Sequence, residues 1–188
     1  MGVAFSMRFA ASLVLWLAIA GPAAAQVCEA SVSGKAGEVM VTRGGPAQPV
    51  LVTWAVERRE GVGEETDHFA RPGLMLDFTM AADGALVPER AMAPVTRYSD
   101  PELGRAPAMS EVRVRAVIAE AAPIEWRGDD PAKGEAALVK RLREAWPREL
   151  VIEVTVRGEV LASATFDLSV LPEVQAMVRE FFIKQLKP

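Results

Sequence analysis

The sequence predicts an α+β domain, a largely antiparallel sheet with two helices packed against it. Three observations carry that prediction. The last forty residues read as strand, two-residue turn, strand and amphipathic helix. Several earlier segments alternate apolar and polar residues with the period of a strand. Between them lies one helical stripe, and no repeat or low-complexity linker divides the chain, so one domain over residues 26–188 is the economical architecture.

The chain has 188 residues, and its first 25 read as a cleaved export signal rather than as fold. A short apolar run, Phe9 to Ala20, follows a start containing Arg8, and Gly21-Pro22 breaks it. Ala23-Ala24-Ala25 then gives a small-residue cleavage site, with Gln26 as the first mature residue. Translation from Met7 is an alternative start that would leave a more typical charged n-region. An uncleaved anchor is the rival reading, but the run is short for a bilayer span and nothing later is longer or more apolar. The expected location is the periplasm or the exterior.

Val39-Met40-Val41 is a short strand ending before Gly44-Gly45-Pro46. Val50, Val52, Trp54 and Val56 form one face of a stronger strand that runs toward Arg59. Gly61 to Gly73 is polar and reads as a loop, after which Leu74, Leu76, Phe78 and Met80 mark the next strand. Asp83-Gly84 is a hairpin turn. Pro88 and Pro94 restrict the returning strand, Leu86 to Val95, to a sheet edge or a bulged path, because proline donates no ladder hydrogen bond. Thr96 to Pro107 reads as a surface connection. Residues 111–121 fit a strand, through Val112, Val114, Ala116 and Ile118, somewhat better than a helix.

Asp130-Pro131 resembles an N-cap followed by proline at the first helical position. Leu138, Leu142, Ala145 and Trp146 continue as a helical stripe up to Pro147, with Gly134 weakening the first turn. In the C-terminal unit, Leu150, Ile152, Val154 and Val156 face one way, with Val151, Glu153, Thr155 and Arg157 opposite. Gly158 supplies positive φ for the turn. Val160, Ala162, Ala164, Phe166 and Leu168 resume the apolar face, with Thr165 and Asp167 opposite. Pro172 opens a helix whose Val174, Met177, Val178, Phe181 and Phe182 recur at helical spacing.

Composition narrows function by exclusion. A net charge of −4 argues against a general nucleic-acid binder. A single cysteine, Cys28, excludes an intrachain disulfide and a multi-cysteine metal site. It leaves an intermolecular disulfide open beside the ordinary reading of a small hydrophobe at a strand start. A single histidine, His68, excludes a multi-histidine zinc site. The one cluster of metal-binding or catalytic residue types is Glu64, Glu65, Asp67 and His68, in a loop without the ligand spacing of a calcium site. Solvated loop chemistry accounts for it. No Gly-x-Ser-x-Gly elbow or dinucleotide fingerprint occurs, and helix capping accounts for Asp130 in the Asp129-Asp130 pair. Arg113 and Arg115, sharing a strand face with Glu111, suggest a self-neutralised surface rather than an anion site. No catalytic, cofactor or metal residue is assigned.

The helix with Leu138 and Leu142, the strand Leu150 to Val156, and the segment Val160 to Leu168 closing as Ala164-Thr165-Phe166-Asp167-Leu168-Ser169 before a last helix resemble the end of the invasion-associated locus B family. That resemblance covers the last third and implies a small exported protein acting in the bacterial envelope. The Asp83-Gly84 hairpin with Ala116-Val117 and Ala122-Pro123 is similar, more faintly, to the C-terminal domain of TonB-type proteins. The expected function is therefore that of a non-enzymatic envelope protein working through protein contacts. The alternatives are a carrier or sensor of a small apolar ligand near Trp146, Phe181 and Phe182, and a hydrolase using the 64–68 loop.

Overall fold

The computed structural model describes residues 28–43, 49–59, 68–98 and 104–185. The expected leader and its cleavage site lie outside these residues. The described chain is α+β, but its strands divide between two antiparallel sheets instead of one. The first is a meander of β1 (Cys28–Gly34), β2 (Gly37–Arg43), β3 (Val50–Val56), β4 (Met75–Met80) and β5 (Leu86–Met92), in that spatial order. The second comprises β6 (Val112–Val117), β7 (Ile124–Arg127), β8 (Glu149–Val156) and β9 (Glu159–Asp167), ordered β7-β6-β8-β9. Helix α1 (Ala132–Glu144) joins β7 to β8, and α2 (Leu171–Gln185) follows β9. Buried side chains from both sheets and both helices make one apolar cluster, including Trp54, Phe78, Leu138, Ile152, Phe166 and Val174.

The alternation in β3 places Val52 and Trp54 wholly inside and leaves Leu51 on the outer face. The Trp54 indole N–H donates to the Ala36 carbonyl at 2.6 Å, tying the β1–β2 turn to the interior. Beyond Val56 the chain leaves its own sheet. Arg58 bridges to Phe166, and the Arg59 N–H donates to the Thr165 carbonyl at 3.1 Å, so this segment runs along β9 and stitches the sheets together.

Pro88 behaves as its missing N–H requires. It lies in β5, an edge strand, and the ladder steps from Phe78↔Pro88 to Asp77↔Arg90, leaving Glu89 as the extra residue of a bulge. Helix α1 covers that edge. The Arg143 Nε–H donates to the Pro88 carbonyl at 2.6 Å, and its guanidinium also holds Glu89. At the other end of α1 the Ala93 N–H donates to the Glu135 carboxylate, while burial pushes that carboxyl's pKa up.

The start and the end of α1 depart from the sequence expectation. Pro131 takes the N-cap position, no side chain caps the helix, and helical structure begins at Ala132. Asp130 closes the preceding turn instead, its N–H donating to the Arg127 carbonyl at 3.1 Å. The helix ends at Glu144, because Ala145 is extended and exposed. Trp146 lies past the helix, its indole N–H donating to the Leu168 carbonyl at 2.8 Å and its ring 6.0 Å from that of Phe78. Strand β7, which periodicity did not mark, is four residues long, and its buried Trp126 presses against Gly134 of α1.

Residues 112–117 form a strand, as the better of the two sequence fits requires. The β8–β9 hairpin turns on Arg157 and Gly158, at φ 53° and 86°, so both central residues are left-handed as in a type I′ turn. The β8–β9 ladder shifts register between Val154 and Thr155, leaving Leu161 as the extra residue of a bulge in β9, and Thr155, which simple alternation puts on the polar face, is buried. Thr165 is buried as well, at the point where the Arg59 backbone crosses β9.

Candidate functional site

Of the acidic cluster, Glu64, Glu65 and Asp67 lie outside the described residues, and only His68 is placed. It does not end a simple polar loop. The His68 carbonyl accepts the Tyr98 N–H at 2.8 Å, Phe69 bridges to Arg97, the Ala70 N–H donates to Thr96, and the Gly73 N–H donates to Pro94. Residues 68–73 and 94–98 thus prolong the β4–β5 hairpin as an irregular ribbon, anchored by the fully buried Phe69. The signal for this was an aromatic residue inside a polar run. Pairing this short and irregular is too little for periodicity to register.

The other sequence candidates resolve into structural roles. Asp129 is clasped by Arg127, with Nε–Oδ1 at 2.9 Å and Nη2–Oδ2 at 2.6 Å, and that hydrogen bonding holds its carboxyl below the usual range. It is a neutralised partner in a turn, not half of an acid–base pair with Asp130. Cys28 opens β1, with its Cα opposite that of Arg43. Among the described residues no group of three or more His, Cys, Asp and Glu is placed to hold a metal ion.

Asp167 illustrates how the carboxylates are used. Its Oδ1 accepts the Ser169 hydroxyl at 2.6 Å and backbone N–H at 3.0 Å, and its Oδ2 accepts from Arg59 at 3.1 Å. The Ser169 hydroxyl, then Arg59, lowers its pKa, while Arg59 also reaches Glu149 at 2.7 Å. This cluster fastens the β3 extension to the ends of β8 and β9. The carrier reading names Trp146, Phe181 and Phe182. Trp146 is committed to Phe78 and Leu168, and the side chains of Phe181 and Phe182 lie outside the described set.

The outer faces of the two sheets differ in character. On the second sheet Arg115 lies between Glu153 at 3.1 Å and Glu125 at 3.7 Å, and Arg113 lies 4.0 Å from Glu125. The arginines are neutralised, though across strands, while Glu111 meets Arg157 at 3.9 Å. On the first sheet the charges that pair, Asp77 and Arg90, occupy one row. The neighbouring row runs Leu51, Thr79, Val87, with Leu51 50% and Val87 37% exposed. On the other side of the charged row, Met75 faces Met92, both partly exposed. Leu51 and Val87 are two of the three large hydrophobic side chains exposed among the described residues, the third being Tyr98.

The chain matches no family model, no curated protein and no solved structure. The likeness to the locus B family therefore rests on the residues of α1, β8, β9 and α2 alone. Among the described residues no helix is long and apolar enough to cross a membrane, which says nothing of crossing by strands.

Proposed function

We propose that this chain is an exported protein of the bacterial envelope that works through protein contacts rather than catalysis. The observation that carries the reading is the outer face of the first sheet. Leu51 and Val87 stand exposed in one row there, with Met75 and Met92 beyond the Asp77–Arg90 row, whereas the second sheet spends its outer charges on one another. The export signal read in residues 1–25 and the C-terminal likeness to locus B proteins support the same assignment. So does the use of Asp129 and Asp167 as tethers, which leaves neither poised as a general base.

Site-specific photo-crosslinking in intact cells tests this. A photoreactive residue at position 51 should give discrete protein adducts, and one at position 125, on the neutralised face, should not. Indistinguishable patterns from the two positions would refute the contact face. Export is tested separately by fractionation and terminal sequencing: a mature chain beginning at Gln26 is expected, and an intact cytosolic chain would overturn that part.

A further inference from the structure

The methionines among the described residues fall into two groups. Met80, Met109 and Met177 pack against the apolar core. Met40, Met75 and Met92 instead lie on the outer face of the first sheet, where Met75 stands opposite Met92 and Met40 falls in the row of Thr53, Asp77 and Arg90.

Met92 has a specific neighbour. The Arg90 guanidinium donates from Nη2 to the Met92 sulfur at 3.4 Å. The same guanidinium points Nη1 at Asp77 Oδ2, 3.7 Å away, and the other oxygen of Asp77 accepts the Thr53 hydroxyl at 2.7 Å. Thr53 therefore orients a carboxylate, the carboxylate orients the planar fork, and the fork presents its second nitrogen to sulfur. Register sets this alignment: Thr53, Asp77 and Arg90 are successive partners across β3, β4 and β5, and Met92 lies two residues beyond Arg90 on the same face. Met92 is partly exposed and the Arg90 side chain is 68% exposed, so a small solute reaches the sulfur from the solvent side.

A thioether is a poor match for this donor. Its sulfur is only a weak acceptor, whereas a guanidinium is a strong, permanently charged donor. A sulfoxide oxygen, the negative end of a strongly polar bond, is the acceptor the position suits, through a charge-assisted N–H···O bond of about 2.7–2.9 Å.

We infer that Met92 is a modification site, converted by hydrogen peroxide to methionine sulfoxide, with Arg90 holding the new oxygen. A sulfur lone pair attacks one peroxide oxygen, the O–O bond breaks, and that oxygen stays on sulfur. The other leaves as hydroxide and takes up the proton of the first, so sulfur is oxidised and the peroxide is reduced to water. Arg90 keeps its protons and acts as a positioning residue. The product puts a polar, chiral group into the Met75–Met92 pair. The inference concerns the chemistry of one side chain and holds whether or not this face meets a partner.

The test treats the purified protein, expressed with its own leader, with hydrogen peroxide for increasing times and follows each methionine by mass mapping of proteolytic peptides. Met92 should oxidise severalfold faster than Met80, Met109 and Met177. Its sulfoxide is then resolved into epimers with the two stereospecific methionine sulfoxide reductases. Oxygen held by Arg90 should leave one epimer in severalfold excess. Arg90→Ala, and Asp77→Asn, which frees the fork, should keep their circular dichroism and give the epimers in near-equal amounts. An even mixture in wild type would overturn the inference, as would an excess that survives both substitutions or a Met92 no faster than the core-packed methionines.

Discussion

Replacing Gly134 with alanine sets two well-understood effects against each other. Glycine inside a helix is about 1 kcal/mol worse than alanine, so propensity alone expects Gly134→Ala to stabilise α1. The packing says otherwise. A Cβ on residue 134 would sit 2.4 Å from Cδ2 of Trp126 and 2.5 Å from its Cβ and Cε3. Carbon atoms in contact prefer roughly 3.5–4 Å, so either the indole or the helix must shift by more than an ångström. Trp126 is 6% exposed and has little room to give. Overpacking of this kind costs about 1–3 kcal/mol, and the severity of the overlap places it at the upper end. The net expectation is a loss of about 1–2 kcal/mol, or roughly 2–8 °C in Tm for a chain of this size. Urea denaturation followed by circular dichroism measures it. The decisive arm repeats the substitution in a Trp126→Ala background. That change alone should cost about 3–5 kcal/mol. With the indole gone, however, Gly134→Ala should turn stabilising by up to about 1 kcal/mol, a reversal of sign that a double-mutant cycle reads directly. If Gly134→Ala stabilises the wild type, or loses as much without Trp126 as with it, the close approach of α1 to β7 is not what demands glycine.

Four further outcomes are expected. Trp54→Phe leaves the buried Ala36 carbonyl without its indole donor and should cost about 1–3 kcal/mol by denaturant midpoint, more than Trp146→Phe, whose site is only half-buried. Arg157→Asn suits φ 53° better than arginine does and should raise stability by up to about 1 kcal/mol, read as a slower unfolding rate or a higher Tm. Asp167 has its pKa lowered beneath the usual 3.8, so its contribution is complete above that value and fades as pH falls through the lower folded one. Asp167→Asn should therefore converge with wild type in thermal melts at strongly acid pH and lie below it at neutral pH. Glu135 is shifted the other way by burial, so its stabilising contribution is present in acid and lost as pH rises through the raised value. Glu135→Gln, which still accepts from Ala93, should gain stability relative to wild type on going from pH 4 to 7.

Locally encoded features were legible because period and punctuation are local. Alternation in Val50–Val56 and Leu150–Val156, the Arg157-Gly158 turn, and the entry of α2 at Pro172 each depend on residues within a few positions of one another. Pro88 pointed to an edge or a bulge, since a missing N–H has the same consequence in any sheet, and the structure has both. Strand β7 escaped notice because Ile124-Glu125-Trp126-Arg127 is too short to show a period, and becomes a strand by pairing with β6. Thr155 keeps its place in the alternation, paired with Arg113 of β6, yet is buried, which a strict period of two does not express. Trp146 was misplaced on the helix because its spacing from Leu142 suits one, while the backbone had already turned extended at Ala145 to bring the indole to Leu168.

The sequence by itself determined the α+β class, most of the strands, both helices and the scarcity of reactive residue types, since each of these is written in short-range patterns or in composition. The tertiary structure alone decided that the strands form two sheets, which carboxylates serve as tethers, and which apolar side chains are left on an outer face. Those outcomes depend on contacts between residues far apart in the chain, such as Arg59 with Asp167 or Arg143 with Pro88. No window of neighbouring residues contains that information.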